Sequence, residues 1–119
     1  MRKDLGMRKG KMIAQGAHAA MAVLLDSAKA TDSELVIALD PAAYQWLVTG
    51  KFTKVCVGVN SEAELDDVMA RAKAAGIPCA LITDAGKTEF HGVPTKTCCA
   101  VGPAWADDVD KITGALSLL

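Results

Sequence analysis

Aromatic side chains are scarce in this sequence: two tryptophans, one tyrosine and two phenylalanines among 119 residues. Its core must therefore be built from Ala, Val, Leu, Ile and Met. Apolar residues still make up 51% of the chain, enough to fill one core. The length suits one domain, residues 1–119, and is too short for two ordinary ones. An excess of one charge is also missing. Thirteen basic residues face 14 acidic ones, for a net charge of −1. The global field does not attract a polyanion, so a nucleic-acid binder of this composition must cluster its basic residues. No apolar run reaches membrane-spanning length, and no signal-peptide pattern opens the chain. The expectation is a soluble, cytoplasmic protein with no membrane contact. Internal repeats, linkers and low-complexity tracts are absent too.

Several catalytic and metal signatures are missing. There is no C-x-x-C pair among Cys56, Cys79, Cys98 and Cys99. Cys98 and Cys99 are neighbours that a strand would point to opposite faces, a poor disulfide pair. The four cysteines read as buried, reduced thiols. His18, His91, Cys98 and Cys99 do not have ligand spacing, so no metal is expected. The basic stretch near the start lacks Walker spacing. No G-x-S-x-G elbow occurs, and none of Ser27, Ser33, Ser61 and Ser117 adjoins a histidine in sequence. A covalent serine mechanism is disfavoured, and direct attack by water is easier to build.

Positive charge is concentrated in residues 1–11, where Arg2, Lys3, Arg8, Lys9 and Lys11 face only Asp4. Residues 11–28 read as a helix. Ile13, Ala17, Ala20, Met21, Leu24 and Ala28 recur at helical spacing as its apolar face. Lys11, Gln15, His18 and Ala22 form a stripe roughly opposite. Gly16 and the alanines keep this helix slim enough for close approach to a sheet or ligand. Thr31–Glu34 is a cap or turn, and 35–39 is either a short strand or more helix. Asp40-Pro41 opens a helix to about Val48 that stops at Gly50. Val55, Val57 and Val59 alternate as a strand. Ser61 and Glu64 form a capping box for a helix to about Ala75, ended by Gly76 and Pro78. Cys79–Thr83 is a short strand. The 53–83 stretch is thus a strand–helix–strand unit, expected to be parallel and right-handed. A polar loop covers 86–96, and Thr97–Val101 is a further strand closed by Gly102-Pro103. Asp107 or Asp108 caps a last helix through Ile112. The expected fold is α/β: a small mixed sheet of about four strands with helices on both faces.

In such sheets ligands sit beyond the carboxyl ends of strands. Asp84 is at one. Its carboxylate can hold or orient a proton, but it also suits a turn that caps its own backbone before Gly86. The helix start at Lys9-Gly10-Lys11 offers free N–H groups and partial positive charge, which suit phosphate or an oxyanion. Lys11 is unfavourable in a first helical turn, so its presence needs another reason. Gln15 and His18 stack over it on the same stripe.

The chain also resembles the type 2 peptidyl-tRNA hydrolases over nearly its whole length. The resemblance runs through Arg2-Lys3-Asp4-Leu5, Met7-Arg8-Lys9-Gly10-Lys11 and Ala14-Gln15 with His18-Ala19-Ala20. It resumes at Lys54-Val55, Leu81-Ile82, Asp84-Ala85-Gly86 with Thr88, and Thr97. It closes with Gly102-Pro103 and Asp110–Gly114. The resemblance implies hydrolysis of the ester between a peptide, or an N-blocked aminoacyl group, and the tRNA 3′ end, without metal or organic cofactor. It implies functional roles for Lys11, Gln15, His18, Asp84 and Thr97, with Arg8, Lys9, Lys54 and Thr88 on the tRNA side. A homodimer is implied as well. Lys11 or backbone N–H groups would stabilise the developing oxyanion, and Asp84 or His18 would act on water. The alternative is a non-catalytic RNA-binding or adaptor domain of the same fold; a further one is hydrolysis of another acyl ester.

Two departures from the family pattern stand out. The family's central first strand is shortened here, because the chain begins at Met1 within it; either that strand is very short or the start lies upstream. The stretch from about 30 to 50 is longer and holds Tyr44 and Trp46, expected as core aromatics.

Overall fold

The computed structural model describes all residues, 1–119. Helix α1 spans Lys9–Leu25, and a small hairpin follows: β1 (Lys29–Ala30) and β2 (Leu35–Val36). The Thr31 hydroxyl accepts from the Glu34 N–H at 3.0 Å, which makes the 31–34 stretch the hairpin turn. Helix α2 (Pro41–Tyr44) begins where Asp40 accepts from the Ala43 N–H at 2.8 Å, and it widens into a π turn over Gln45–Thr49. Helix α3 is Glu62–Ala74, with Ser61 Oγ accepting from the Glu64 N–H at 3.1 Å and Glu64 reaching back to the Asn60 N–H at 2.7 Å. Strands β3 (Cys79–Asp84) and β4 (Thr95–Val101) and helix α4 (Ala106–Thr113) complete the chain.

The α/β class is as expected, and β3 and β4 are its antiparallel centre. Helix α1 packs on one face of this pair, and α3, backed by α4, on the other. Val59, Leu65, Val68, Ala72, Ile77 and Ile112 form the core on the α3 side, with Cys79, Leu81, Cys99 and Val101 packed against it. Burying Leu65 alone contributes roughly 2 kcal/mol.

Several expectations are corrected. Val55–Val59 forms no continuous ladder. It makes single bridges, Arg2 to Val59 parallel and Val57 to Leu118 antiparallel. The runs flanking α3 are not direct neighbours, because β3 pairs antiparallel with β4 while residues 57–59 pair with Met1–Lys3. Strand β4 starts at Thr95, ahead of the expected Thr97. Trp105 is the N-cap position of α4, and Asp107 and Asp108 lie inside its first turn, favourable beside the helix dipole. Cys56 is exposed, and all four thiols are free. Tyr44 is half exposed, and Trp46 stacks on Phe52 at 4.5 Å away from the main core.

The largest correction concerns the rotation of α1. Ile13 and Met21, assigned to the core face, are exposed at 74% and 55%, whereas Gln15 and Ala19 are buried. With so many alanines and Gly16, the helix has little apolar contrast around its circumference. A satisfied polar contact through Gln15 can then decide which side meets the sheet.

Candidate active site

Asp84 ends β3, and α1 lies across that end. The Asp84 carboxylate accepts from Lys11 Nζ at 2.6 Å and Gln15 Nε2 at 3.0 Å on Oδ1, and from the Gly86 N–H at 2.9 Å on Oδ2. Lys11 Nζ also donates to Thr88 Oγ1 at 3.1 Å and lies 5.7 Å from the centre of the Phe90 ring. The unfavourable first-turn lysine thus has its reason: it is the cation of a partly buried pair. Both side chains keep some solvent access, 12% for Lys11 and 15% for Asp84.

Thr97 locks the cluster from beneath. Between Ile82 and Thr83 the β3–β4 register jumps from Cys98 to Lys96, which leaves Thr97 as a bulged residue. The bulge brings Thr97 to the α1 side along with Cys98. The Thr97 hydroxyl donates to Gln15 Oε1, and the Cys98 thiol donates to the Gln15 carbonyl at 3.3 Å. Gln15 is therefore held at both ends of its amide, with Nε2 aimed at Asp84. Thr97 is fully buried and Gln15 nearly so. Thr97→Val keeps the shape and removes the hydroxyl, so Gln15 Oε1 loses its donor. The expected result is about 1–3 kcal/mol of lost stability in urea unfolding, with turnover reduced through a misaligned Gln15.

The turn after Asp84 depends on Gly86. Its φ is +78°, and a Cβ there would sit 2.3 Å from the Val93 carbonyl oxygen. Its carbonyl accepts from the Phe90 and Gly92 N–H groups, which folds the 86–93 loop back beside α1.

Sequence reasoning missed Glu89. Its carboxylate accepts from Arg8 Nε at 2.7 Å and weakly from the Arg8 N–H at 3.4 Å, so the loop is tied to the start of α1. The Arg8 hydrogen bond, aided by the charges of Arg8 and Lys11, holds Glu89 below its ordinary range. An acid opposite a helix start was visible in the sequence, but nothing paired them. Lys87 is exposed just ahead of Thr88.

Asp84 is likewise held below the usual carboxylate range, chiefly by the Lys11 hydrogen bond, with Gly86 and Gln15 assisting and burial opposing. It is ionised at neutral pH. Three of its roughly four acceptor positions are filled, which leaves one on Oδ2 for a water. Two of the three Lys11 ammonium protons are committed, and one is free.

Among the expected site residues, Lys11, Gln15, Asp84, Thr88 and Thr97 share one hydrogen-bonded cluster. Arg8 borders it through Glu89, and Lys9 is exposed beside it in sequence. His18 is exposed and makes no hydrogen bond to this set. Lys54 is engaged elsewhere: its ammonium lies 3.0 Å from the centre of the Phe52 ring and 4.8 Å from that of Trp46. No group of three or more His, Cys, Asp or Glu side chains gathers as a metal site.

The family model for peptidyl-tRNA hydrolase PTH2 matches residues 1–119. The chain belongs to the peptidyl-tRNA hydrolase PTH2 family. Within it, a protein of Methanocaldococcus jannaschii, named peptidyl-tRNA hydrolase, is 44% identical over 119 residues, covering all of this chain and 95% of that one. Proteins of the same name from Halobacterium salinarum and Sulfurisphaera tokodaii are 46% and 42% identical, covering 98% and 100% of this chain and 93% of each relative. Family membership makes this chain a peptidyl-tRNA hydrolase. No helix is long and apolar enough to cross a membrane.

Proposed function

We propose that this chain hydrolyses the ester linking a peptide to the 3′ end of tRNA, with the Asp84–Lys11–Gln15–Thr97 cluster as its catalytic centre. The observation that carries this reading is the division of unused hydrogen-bonding capacity between Asp84 and Lys11. An acceptor position on the ionised carboxylate can orient a water, and the remaining Lys11 proton can meet the oxyanion that develops as water adds to the ester carbonyl. Neither role needs a covalent intermediate. Gln15 and Thr97 are positioning residues, since they act through Asp84. His18 lacks a partner to orient it, so the water-activating role goes to Asp84.

The tRNA end is a polyanion. Arg8, Lys9 and Lys87, exposed around the cluster, are suited to its phosphates, a contact that positions tRNA without reading its sequence. Lys54 serves the same purpose only at a distance, because it is held over Phe52 and Trp46. Lys9→Ala with Lys87→Ala should raise KM, leave kcat near its original value, and flatten the salt dependence of KM, with each lost phosphate contact lowering the slope by about 0.7–0.9. Translation in the cytoplasm and a homodimer belong to the same reading; exposed Leu35, Val36 and Leu118 support the dimer.

The direct assay is release of free tRNA from N-blocked aminoacyl-tRNA by the purified chain. Release that is lost in Asp84→Asn supports the proposal. Salt-sensitive tRNA binding with no release by the intact protein would replace it with the non-catalytic RNA-binding reading.

A further inference from the structure

The 86–93 loop carries an apolar pair beside Lys11 that the ester chemistry does not use. The Val93 N–H donates to the Phe90 carbonyl at 2.8 Å. The two residues between them, His91 and Gly92, both have left-handed φ, +52° and +79°. That is the pattern of a type I′ turn, which sets its two flanking residues directly opposite each other. Phe90 and Val93 therefore stand side by side. Neither belongs to the hydrophobic core. The Phe90 ring is half-buried, and Val93 is 60% exposed.

The pair is held in place. The Gly86 carbonyl accepts from the Phe90 and Gly92 N–H groups. Thr88 accepts from Lys11 and Glu89 from Arg8, so the residues just ahead of Phe90 are tied to α1. The turn is completed by His91, a non-glycine residue in a conformation that side chains rarely adopt. An exposed apolar surface thus has a fixed position. The centre of the Phe90 ring lies 5.7 Å from Lys11 Nζ, the group with a proton free for the oxyanion. Lys87, suited to a phosphate, precedes Phe90 by three residues on the same loop.

We propose that the Phe90 ring, with Val93 beside it, is the stacking platform for the base of the terminal tRNA nucleotide, the one whose ribose carries the ester. This rests on the ester hydrolysis proposed above for the Asp84 cluster. The ester carbonyl has to reach Lys11, and the nearest phosphates are drawn to Arg8, Lys9 and Lys87. The terminal base then falls beside the 86–93 loop, where an aromatic face meets it. A base stacks on such a ring through its π-face and needs no hydrogen-bond readout. The side chain of the esterified amino acid is the other group near the ester. It differs from one substrate to the next, whereas the terminal base is adenine in every tRNA. A single fixed ring suits the constant partner.

The test uses two chemically acylated RNAs that differ only in their last residue, adenosine in one and a base-free ribose in the other. Each carries an N-acetylaminoacyl ester on that ribose. For the intact chain, KM should be about tenfold lower with the adenosine-ended RNA, and kcat similar for both. The ratio should not depend on salt, since the two RNAs carry the same phosphates. In Phe90→Ala and in Phe90→Leu, which keeps apolar volume without a π-face, the ratio of KM values should fall toward one. Phe90→Trp should retain it. The assignment is overturned by equal KM values for the two RNAs with the intact chain, or by a tenfold ratio that persists in the alanine and leucine variants. Hydrolysis of neither RNA by the intact chain would remove the proposed function and this assignment with it.

Discussion

Replacing Asp84 with asparagine should lower kcat for N-blocked aminoacyl-tRNA by roughly 10²–10⁴-fold while KM changes little. Asparagine keeps the size of the side chain and can still accept from Gly86, but it cannot hold the negative charge that pairs with Lys11 and, in the proposed reaction, orients water. Single-turnover kinetics separate this loss from tRNA binding. Near-original turnover would remove Asp84 from the chemistry and send the search to His18. His18→Ala itself should cost far less than Asp84→Asn, since the imidazole is exposed and unpartnered.

The second large effect belongs to Lys11. Lys11→Met retains the aliphatic stem and deletes the ammonium, and turnover should fall about 10²–10³-fold, the usual cost of losing one oxyanion donor. The pH profile identifies the cause. With Lys11 present, Asp84 is held below the usual carboxylate range, so in the proposed reaction the acid limb of kcat/KM should lie below that range as well. Without Lys11, burial is opposed only by Gly86 and Gln15, and the acid limb should move upward. Stability follows the same linkage. A lowered folded-state pKa contributes stability that is complete above the unfolded value and is lost as pH falls through the folded one. Lys11→Met should therefore lose its stability deficit relative to the original chain at low pH. An acid limb that does not move would mean Lys11 acts on substrate without tuning Asp84.

The two residues also explain why the cluster resists a simple division into acid and base. The short Lys11–Asp84 contact keeps both charged, which suits electrostatic stabilisation and water orientation better than proton storage. Gln15 and Thr97 add no charge. They remove freedom from Asp84, and the bulge at Thr97 makes that possible by turning its hydroxyl to the helix side.

Local signals in the sequence determined much of this protein. Asp40-Pro41 and Ser61 with Glu64 mark helix starts that the structure keeps, because a cap is satisfied within a few residues. The strand at Cys79–Thr83 and the carboxylate at its end were legible for the same reason, and the ordered motifs were enough to recognise the family. Three features were decided only by tertiary structure. The rotation of α1 was one, since its alanine-rich surface carries little periodic contrast and a buried Gln15 outweighs an exposed Ile13. The pairing of Arg8 with Glu89 was another, because the residues are 81 apart and only the 86–93 loop brings them together. The third was the sheet itself. Val55–Val59 has the alternation of a strand, yet alternation specifies which face is apolar and says nothing about a partner. A ladder needs a neighbour on its edge, and tertiary contacts give this stretch only single bridges, to Arg2 and to Leu118.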